Sequence, residues 1–148
     1  MKVLKTVKVE VELEIIEATL LSVEEAVALS WGLRAHEDWW WLRSPGKYQS
    51  YAAYVDCSGW ADDGGHRVNY DEVCVRPALK LNHSNLEIGD RFTFGRREFE
   101  VISDDLAFCL GDIGCCAFRR NRKAKDANVY EFSDVKKHVD EWFKESLA

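Results

Sequence analysis

Between Tyr48 and Tyr70 the sequence gathers its densest set of side chains that could contact a ligand: Tyr48, Tyr51, Tyr54, Trp60, Asp62, Asp63, His66, Arg67 and Tyr70. Tyr and Trp give rigid contact area at little entropy cost, and loops carry binding out of proportion to their length. The stretch is therefore read as a binding surface, against the plainer reading of two solvated turns. Asp62, Asp63 and His66 offer oxygen and nitrogen to a metal ion. Two adjacent carboxylates without a wider oxygen cage make a weak calcium site, so no metal and no cofactor is expected.

The five cysteines, Cys57, Cys74, Cys109, Cys115 and Cys116, show no C-x-x-C spacing. A vicinal Cys115-Cys116 pair chelates tetrahedral zinc poorly, and the default is buried reduced thiols acting as small apolar residues. Cys57 and His66 are the available nucleophile and base, but no surrounding motif selects them. There is no G-x-S-x-G, no phosphate-binding glycine loop and no H-E-x-x-H, so the chain is not expected to be an enzyme.

Two arginines stand in apolar surroundings, Arg43 in WLRSP and Arg76 in VRPAL. A planar guanidinium can satisfy several backbone carbonyls where loops meet, and that structural role is favoured over an anion site. In the run Trp39, Trp40 and Trp41 the alternation of a strand forbids all three from facing inward. An exposed one would be a natural binding anchor.

These residues need a scaffold, and composition bounds it. At 148 residues and 47% apolar content, one domain spanning residues 1–148 with a sizeable core is expected. No apolar run reaches the roughly 20 residues of a membrane helix. The opening MKVLKTVKVEVELE alternates and does not form a signal-peptide core, so a cytoplasmic chain with reduced thiols is expected. The net charge of −6 disfavours direct nucleic-acid binding, which draws affinity from Lys and Arg on phosphates. It suits a protein partner with a basic surface. The basic segment Arg119, Arg120, Arg122, Lys123 and Lys125 reads as a solvated loop or a partner for a Glu-rich strand face.

Strict alternation from Thr6 to Ile16 predicts a half-buried strand with Glu10, Glu12 and Glu14 on its outer face. Ser22 with Glu25 forms a capping box opening a helix that Gly32 ends. Strands are predicted at Tyr51–Asp56, Arg67–Tyr70 and Val73–Leu81, the last with a bulge or strand end at Pro77. Ser58-Gly59 and Asp63-Gly64-Gly65 read as turns. Arg91–Phe94 and Glu98–Ile102 form a hairpin around Gly95, and Leu106–Leu110 is a further strand. Asp112–Asn128 is irregular. Ser133 caps a last helix with Val135, Val139, Trp142 and Phe143 on one face. The fold class is α+β, a mostly antiparallel twisted sheet with two helices.

The segments LLSVEEAV (residues 20–27), WWLRSPG followed by an alanine-valine strand, and VRPALKL together resemble a bacterial and phage domain family with a WWLRSPG…VRPAL signature. The resemblance implies a fold similar to the C-type-lectin and formylglycine-generating-enzyme group. Residues 86–113 (LEIGDRFTFGRREFEVISDDLAFCLGDI) and 130–143 (YEFSDVKKHVDEWF) resemble the same family's opening hairpin and early helix, yet here they follow VRPALKL. Residues 19–82 thus resemble the family's C-terminal half and 86–145 its N-terminal half, the order of a circular permutant. Asn82–Asn85 would join the family's old ends. The arrangement requires residues 75–81 and 91–101 to share a sheet.

In lectin-like folds the region from Tyr48 to Tyr70 carries ligand loops. The paired Glu-Pro-Asn and Trp-Asn-Asp calcium motifs of lectins are absent, and the cysteine motif of formylglycine-generating enzymes does not align. The expected function is a non-catalytic protein- or ligand-binding module. Its sharper form is a phage or mobile-element inhibitor of a host defence complex, in the manner of an anti-CRISPR, with Glu10, Glu12 and Glu14 supplying part of the charge. The alternative is a metal-dependent carbohydrate-binding lectin-like domain, or an enzyme, using the Asp62–His66 turn.

Overall fold

The computed structural model describes residues 12–148. Among these residues, eight strands form two antiparallel sheets, joined by three α-helices and a 3-10 turn at Tyr130–Phe132. The larger sheet has five strands in the order β1 (Leu13–Thr19), β5 (Ala78–Ser84), β8 (Leu106–Cys109), β7 (Arg97–Val101) and β6 (Arg91–Phe94). The smaller holds β2 (Trp40–Pro45), β3 (Tyr51–Val55) and β4 (Ala61–Arg67). The α+β class and the antiparallel pairing thus match the sequence reading. Strand β5 and the β6–β7 hairpin share one sheet, with β8 between them.

The N-terminal strand runs past its expected end at Ile16, and residues 6–11 of the expected span lie outside the described residues. Glu10 lies outside the described residues. β1 runs from Leu13 to Thr19, and its register against β5 slips at Glu14/Ile15 and again at Ile15/Glu17. The slips break strict alternation: Ile16 is exposed, while Ala18 and Thr19 are buried. Glu12 and Glu14 are exposed and already have neighbours. The Asn82 side-chain amide donates to Glu14 Oε1 at 3.1 Å, and His83 Nε2 lies 3.7 Å from Glu12 Oε2.

Among the described residues there are three helices where two were expected. The capping box forms as read: Glu25 N–H donates to Ser22 Oγ at 3.2 Å, and Ser22 N–H to Glu25 Oε1 at 2.8 Å. But α1 (Val23–Val27) stops early, and α2 (Trp31–Arg34) restarts with Gly32 inside it. The break is at Ser30, whose hydroxyl accepts from Leu33 N–H at 3.2 Å and so caps a new helix instead of continuing the old one. The last helix, α3 (Asp134–Leu147), starts at Ser133 and buries Val135 and Val139.

The Asp63–Gly65 turn is in fact part of β4, and of the expected strand at Arg67–Tyr70 only Arg67 is in a strand, as the last residue of β4, with a turn at Val68–Asn69. Asp62 Oδ1 accepts from Gly64 N–H and Gly65 N–H at 3.0 and 3.1 Å, folding a bulge into the strand. Gly65 has φ +86, and a Cβ there would stand 2.5 Å from Ala52 O, so only glycine fits. The hairpin β6–β7 turns on Gly95 (φ +56) and Arg96 (φ +62), the two left-handed residues of a type I′ turn.

Two apolar clusters fill the interior. One joins the larger sheet to α3 through Leu79, Phe99, Val135 and Val139. The other joins α1 to both sheets through Leu21, Ala26, Trp40, Val55 and Phe108. Arg76 lies in the seam, 2% exposed. It donates to the carbonyls of Leu33 (2.9 Å), Leu110 (3.2 Å) and Gly111 (3.2 Å), which is the structural role read for it. Arg43 likewise donates to Leu20 O at 2.7 Å and to the Glu25 carboxylate. No helix among the described residues is long and apolar enough to cross a membrane.

Candidate functional site: an acidic aromatic cleft

Trp40 and Trp41 are fully buried, which leaves Trp39 as the half-exposed member of the run. Its ring meets Tyr54 at 4.9 Å, His66 at 5.4 Å and Tyr70 at 6.2 Å, and His66 lies 4.9 Å from Tyr70. This four-ring wall separates two hollows. The larger, about 450 Å³, is lined by Trp39 and Tyr70 with Glu37, Asp38, Asp71 and Glu72, and Cys57 and Cys115 also open into it. The smaller, about 350 Å³, takes His66, Arg67 and Asn69 with the same two aromatics.

Backbone pairing explains why four carboxylates meet there. Cys74 N–H donates to Trp39 O at 2.6 Å, and Trp41 N–H donates to Cys74 O at 3.1 Å. This is a parallel bridge between Trp40 and Cys74. Two segments paired in parallel enter from the same end, so Glu37-Asp38 and Asp71-Glu72 lie side by side. Tyr70 O–H donates to Glu72 Oε2 at 3.0 Å, and that bond and charge push its phenol up. Burial, then the Asp62 and Asp56 charges, push the Tyr54 phenol up.

Beneath the cleft lies a group of thiols and charges. Cys74 and Cys115 form an antiparallel bridge, with their sulfurs 2.8 Å apart. Cys74 Sγ also donates to Asp38 Oδ2 at 3.7 Å. His36 Nε2 lies 2.8 Å from Asp112 Oδ2. Burial, chiefly, pushes the Cys74 thiol far up, assisted by Cys115 and Asp112. Burial alone would raise the Asp112 carboxyl, but the His36 ring and the Gly114 N–H outweigh it and hold the carboxyl below its ordinary value.

The expected site residues divide among these places. His66 and Tyr70 join Trp39 and Tyr54 in the aromatic wall, with Arg67 beside them. His66 Nδ1 is buried without a hydrogen-bond partner among the described residues. Asp62 is occupied by the β4 bulge, and Asp63 is exposed. Asp62, Asp63 and His66 do not converge as metal donors; among the described residues the group that does is His36, Cys74 and Asp112. Cys57 and His66 line different hollows, so they are not assembled as nucleophile and base.

Trp60 packs instead against Trp31, ring centroids 6.5 Å apart, both more than half exposed. Tyr48 and Tyr51 meet edge-on at 5.0 Å, against the basic segment. There Asn128 Nδ2 donates to Tyr48 O, and Gln49 Nε2 donates to Ala124 O. Within that segment Arg119 donates to Phe132 O and pairs with Asp126.

Sequence reasoning missed the cleft rim. The available signal was two acidic dipeptides, Glu37-Asp38 and Asp71-Glu72, each abutting an aromatic residue. Comparison of the chain with protein-family models, curated proteins and solved structures finds no match.

Proposed function

We propose that the chain is a non-catalytic binding module that grips a cationic segment of a protein partner in the Trp39 cleft. The carrying observation is the pairing of the Trp39 and Tyr70 rings with Glu37, Asp38, Asp71 and Glu72 around one hollow of about 450 Å³. An aromatic face attracts a guanidinium or ammonium through its quadrupole, and carboxylates add charge-assisted hydrogen bonds. The net charge of −6 would steer such a partner from a distance.

In the wider reading the partner is a basic nucleic-acid-binding surface of a host defence complex, and the chain is a phage or mobile-element inhibitor of the anti-CRISPR type. Such surfaces present Lys and Arg to phosphates, and an acidic protein competes for them. The Trp39 cleft carries more of this reading than the β1 face, where Glu17, Glu14 and Glu12 already face Lys80, Asn82 and His83. The test is titration of the full chain with a fluorescent arginine-rich peptide at low and high salt. Affinity should fall steeply with salt, and fall again when Glu37, Asp38, Asp71 and Glu72 become amides. Affinity indifferent to both changes would refute the reading.

We further infer a permuted C-type-lectin-like architecture. Its support is the sharing of one sheet by β5 and the β6–β7 hairpin, the proximity that the permuted order requires. Fragments 1–85 and 86–148, expressed together, should then associate into a cooperatively melting complex, because the 82–86 link is dispensable in that order. Fragments that stay unfolded when mixed would count against it.

A further inference from the structure

We propose that His36, Cys74, Asp112 and Cys115 form a binding site for a single zinc ion. His36 Nε2, Cys74 Sγ and an Asp112 carboxylate oxygen all lie within 4.8 Å of one another. Cys115 Sγ stands outside that three-donor group but only 2.8 Å from Cys74 Sγ, and a side-chain rotation would bring it in as the fourth donor. In a tetrahedral site the metal–sulfur and metal–nitrogen bonds are about 2.3 and 2.0 Å, which puts neighbouring donors roughly 3.3–3.8 Å apart. The three-donor spread reaches that spacing through side-chain rotations, and the two sulfurs must move apart by about 1 Å. Two thiolates, an imidazole and a carboxylate are borderline-soft donors that favour zinc over calcium or magnesium.

The backbone around these donors is built independently of any ion. Ile113 N–H donates to Val75 O at 2.9 Å, Val75 N–H to Gly114 O at 2.8 Å, and Cys116 N–H to Val73 O at 3.1 Å. These bonds set Cys115 opposite Cys74. Gly114, at φ +100, makes the tight turn between Asp112 and Cys115. Asp112 Oδ1 accepts from Gly114 N–H at 2.9 Å, which orients the carboxylate and leaves Oδ2 toward His36. This is the outer support that metal-ligating side chains generally have. The sequence hides the site because its donors come from three separated segments and the useful cysteine pair is not the vicinal one.

The ion is structural in this assignment. All four positions are filled by protein, which leaves no open place for a substrate. It ties the segment leading into β2 to the loop after β8, and so fixes the floor of the Trp39 cleft. On binding, the zinc ion takes the two sulfur lone pairs and the two thiol protons pass to solvent. The proposal does not depend on what the cleft binds, because metal content and peptide affinity are measured separately.

The test uses the full chain, reduced and freed of metal, titrated with cobalt(II) alone and then zinc(II). One equivalent of cobalt should give thiolate-to-cobalt charge-transfer bands and intense tetrahedral visible bands, which zinc abolishes. Cys115→Ser, at an exposed position, and Cys74→Ser should each weaken binding at least about tenfold. Cys57→Ser should leave it unchanged. Absence of charge-transfer bands in the reduced protein, or bands that survive Cys115→Ser, overturns the proposal. So does a Cys74–Cys115 disulfide that persists in reductant and excludes the ion.

Discussion

The Arg76 guanidinium sits over the Trp40 ring, its central carbon 4.8 Å from the ring centroid. Phe108 closes on it as well, at 4.4 Å. A buried cation is thus held by two π faces and a set of carbonyls. Arg76→Met keeps apolar bulk but strips the carbonyls of Leu33, Leu110 and Gly111 of their donor. Each buried carbonyl left bare costs about 1–3 kcal/mol, and Met escapes the desolvation cost of a buried guanidinium, so a net loss of roughly 2–4 kcal/mol is expected in urea denaturation. A neutral or stabilised variant would mean that the guanidinium is merely tolerated there.

Glu25 makes stability depend on pH in the acid range. Burial raises its carboxyl, but the Ser22 N–H and the Arg43 guanidinium outweigh burial and hold it below the ordinary value of 4.5. A carboxyl depressed in the folded state contributes stability that is complete above its unfolded value and is lost as pH falls through the folded one. Glu25→Gln should therefore melt lower than the parent at pH 7, and the two melting curves should converge as pH drops below about 4. A constant gap across that range would contradict the assignment.

Gly65 and Gly89 both have left-handed backbones, φ +86 and +96, but only Gly65 is crowded. Nothing lies within 4 Å of a Cβ at Gly89. Gly89→Ala should cost about 1 kcal/mol, from backbone strain alone. Gly65→Ala must also displace Ala52 O and should cost at least about 2 kcal/mol more than Gly89→Ala. Equal losses in thermal or chemical denaturation would show that the β4 bulge can relax.

Removing the Trp39 ring should weaken a cationic peptide without unfolding the chain. Cation–π attraction is worth about 0.5–2 kcal/mol, so Trp39→Leu should reduce affinity by about 2- to 30-fold. Trp60→Leu, on the separate Trp31 contact, should leave it unchanged. The reverse ranking, read by peptide titration, would move the binding surface to the Trp31–Trp60 pair.

Local pattern carried much of the fold. Phe92 and Phe99 alternate with polar neighbours around Gly95, and the hairpin pairs them directly. Ser133 with Val135 and Val139 announces α3 equally well. What stayed hidden depends on capture between neighbours or across distance. Ser30 diverts a helix through its own hydroxyl, and Asp62 turns an apparent loop into a strand bulge by taking two N–H groups. That one of the three tryptophans stays out of the core was legible; that it is Trp39 was not, because Trp40 and Trp41 are buried in different clusters. The acidic rim beside Trp39 and the Cys74–Cys115 pair were not legible either, because backbone bonds between residues some forty positions apart create them.

The parallel sense of the Trp40–Cys74 bridge makes the acidic rim a preassembled feature of the fold. An antiparallel bridge would have sent Glu37-Asp38 and Asp71-Glu72 to opposite ends. The parallel one holds their carboxylates together whether or not a cation is present. The rim is therefore assembled by the backbone before any partner arrives. On the proposed reading, a cationic segment would meet four carboxylates already gathered, and the cost of gathering them falls on the folding of the chain and not on the binding step.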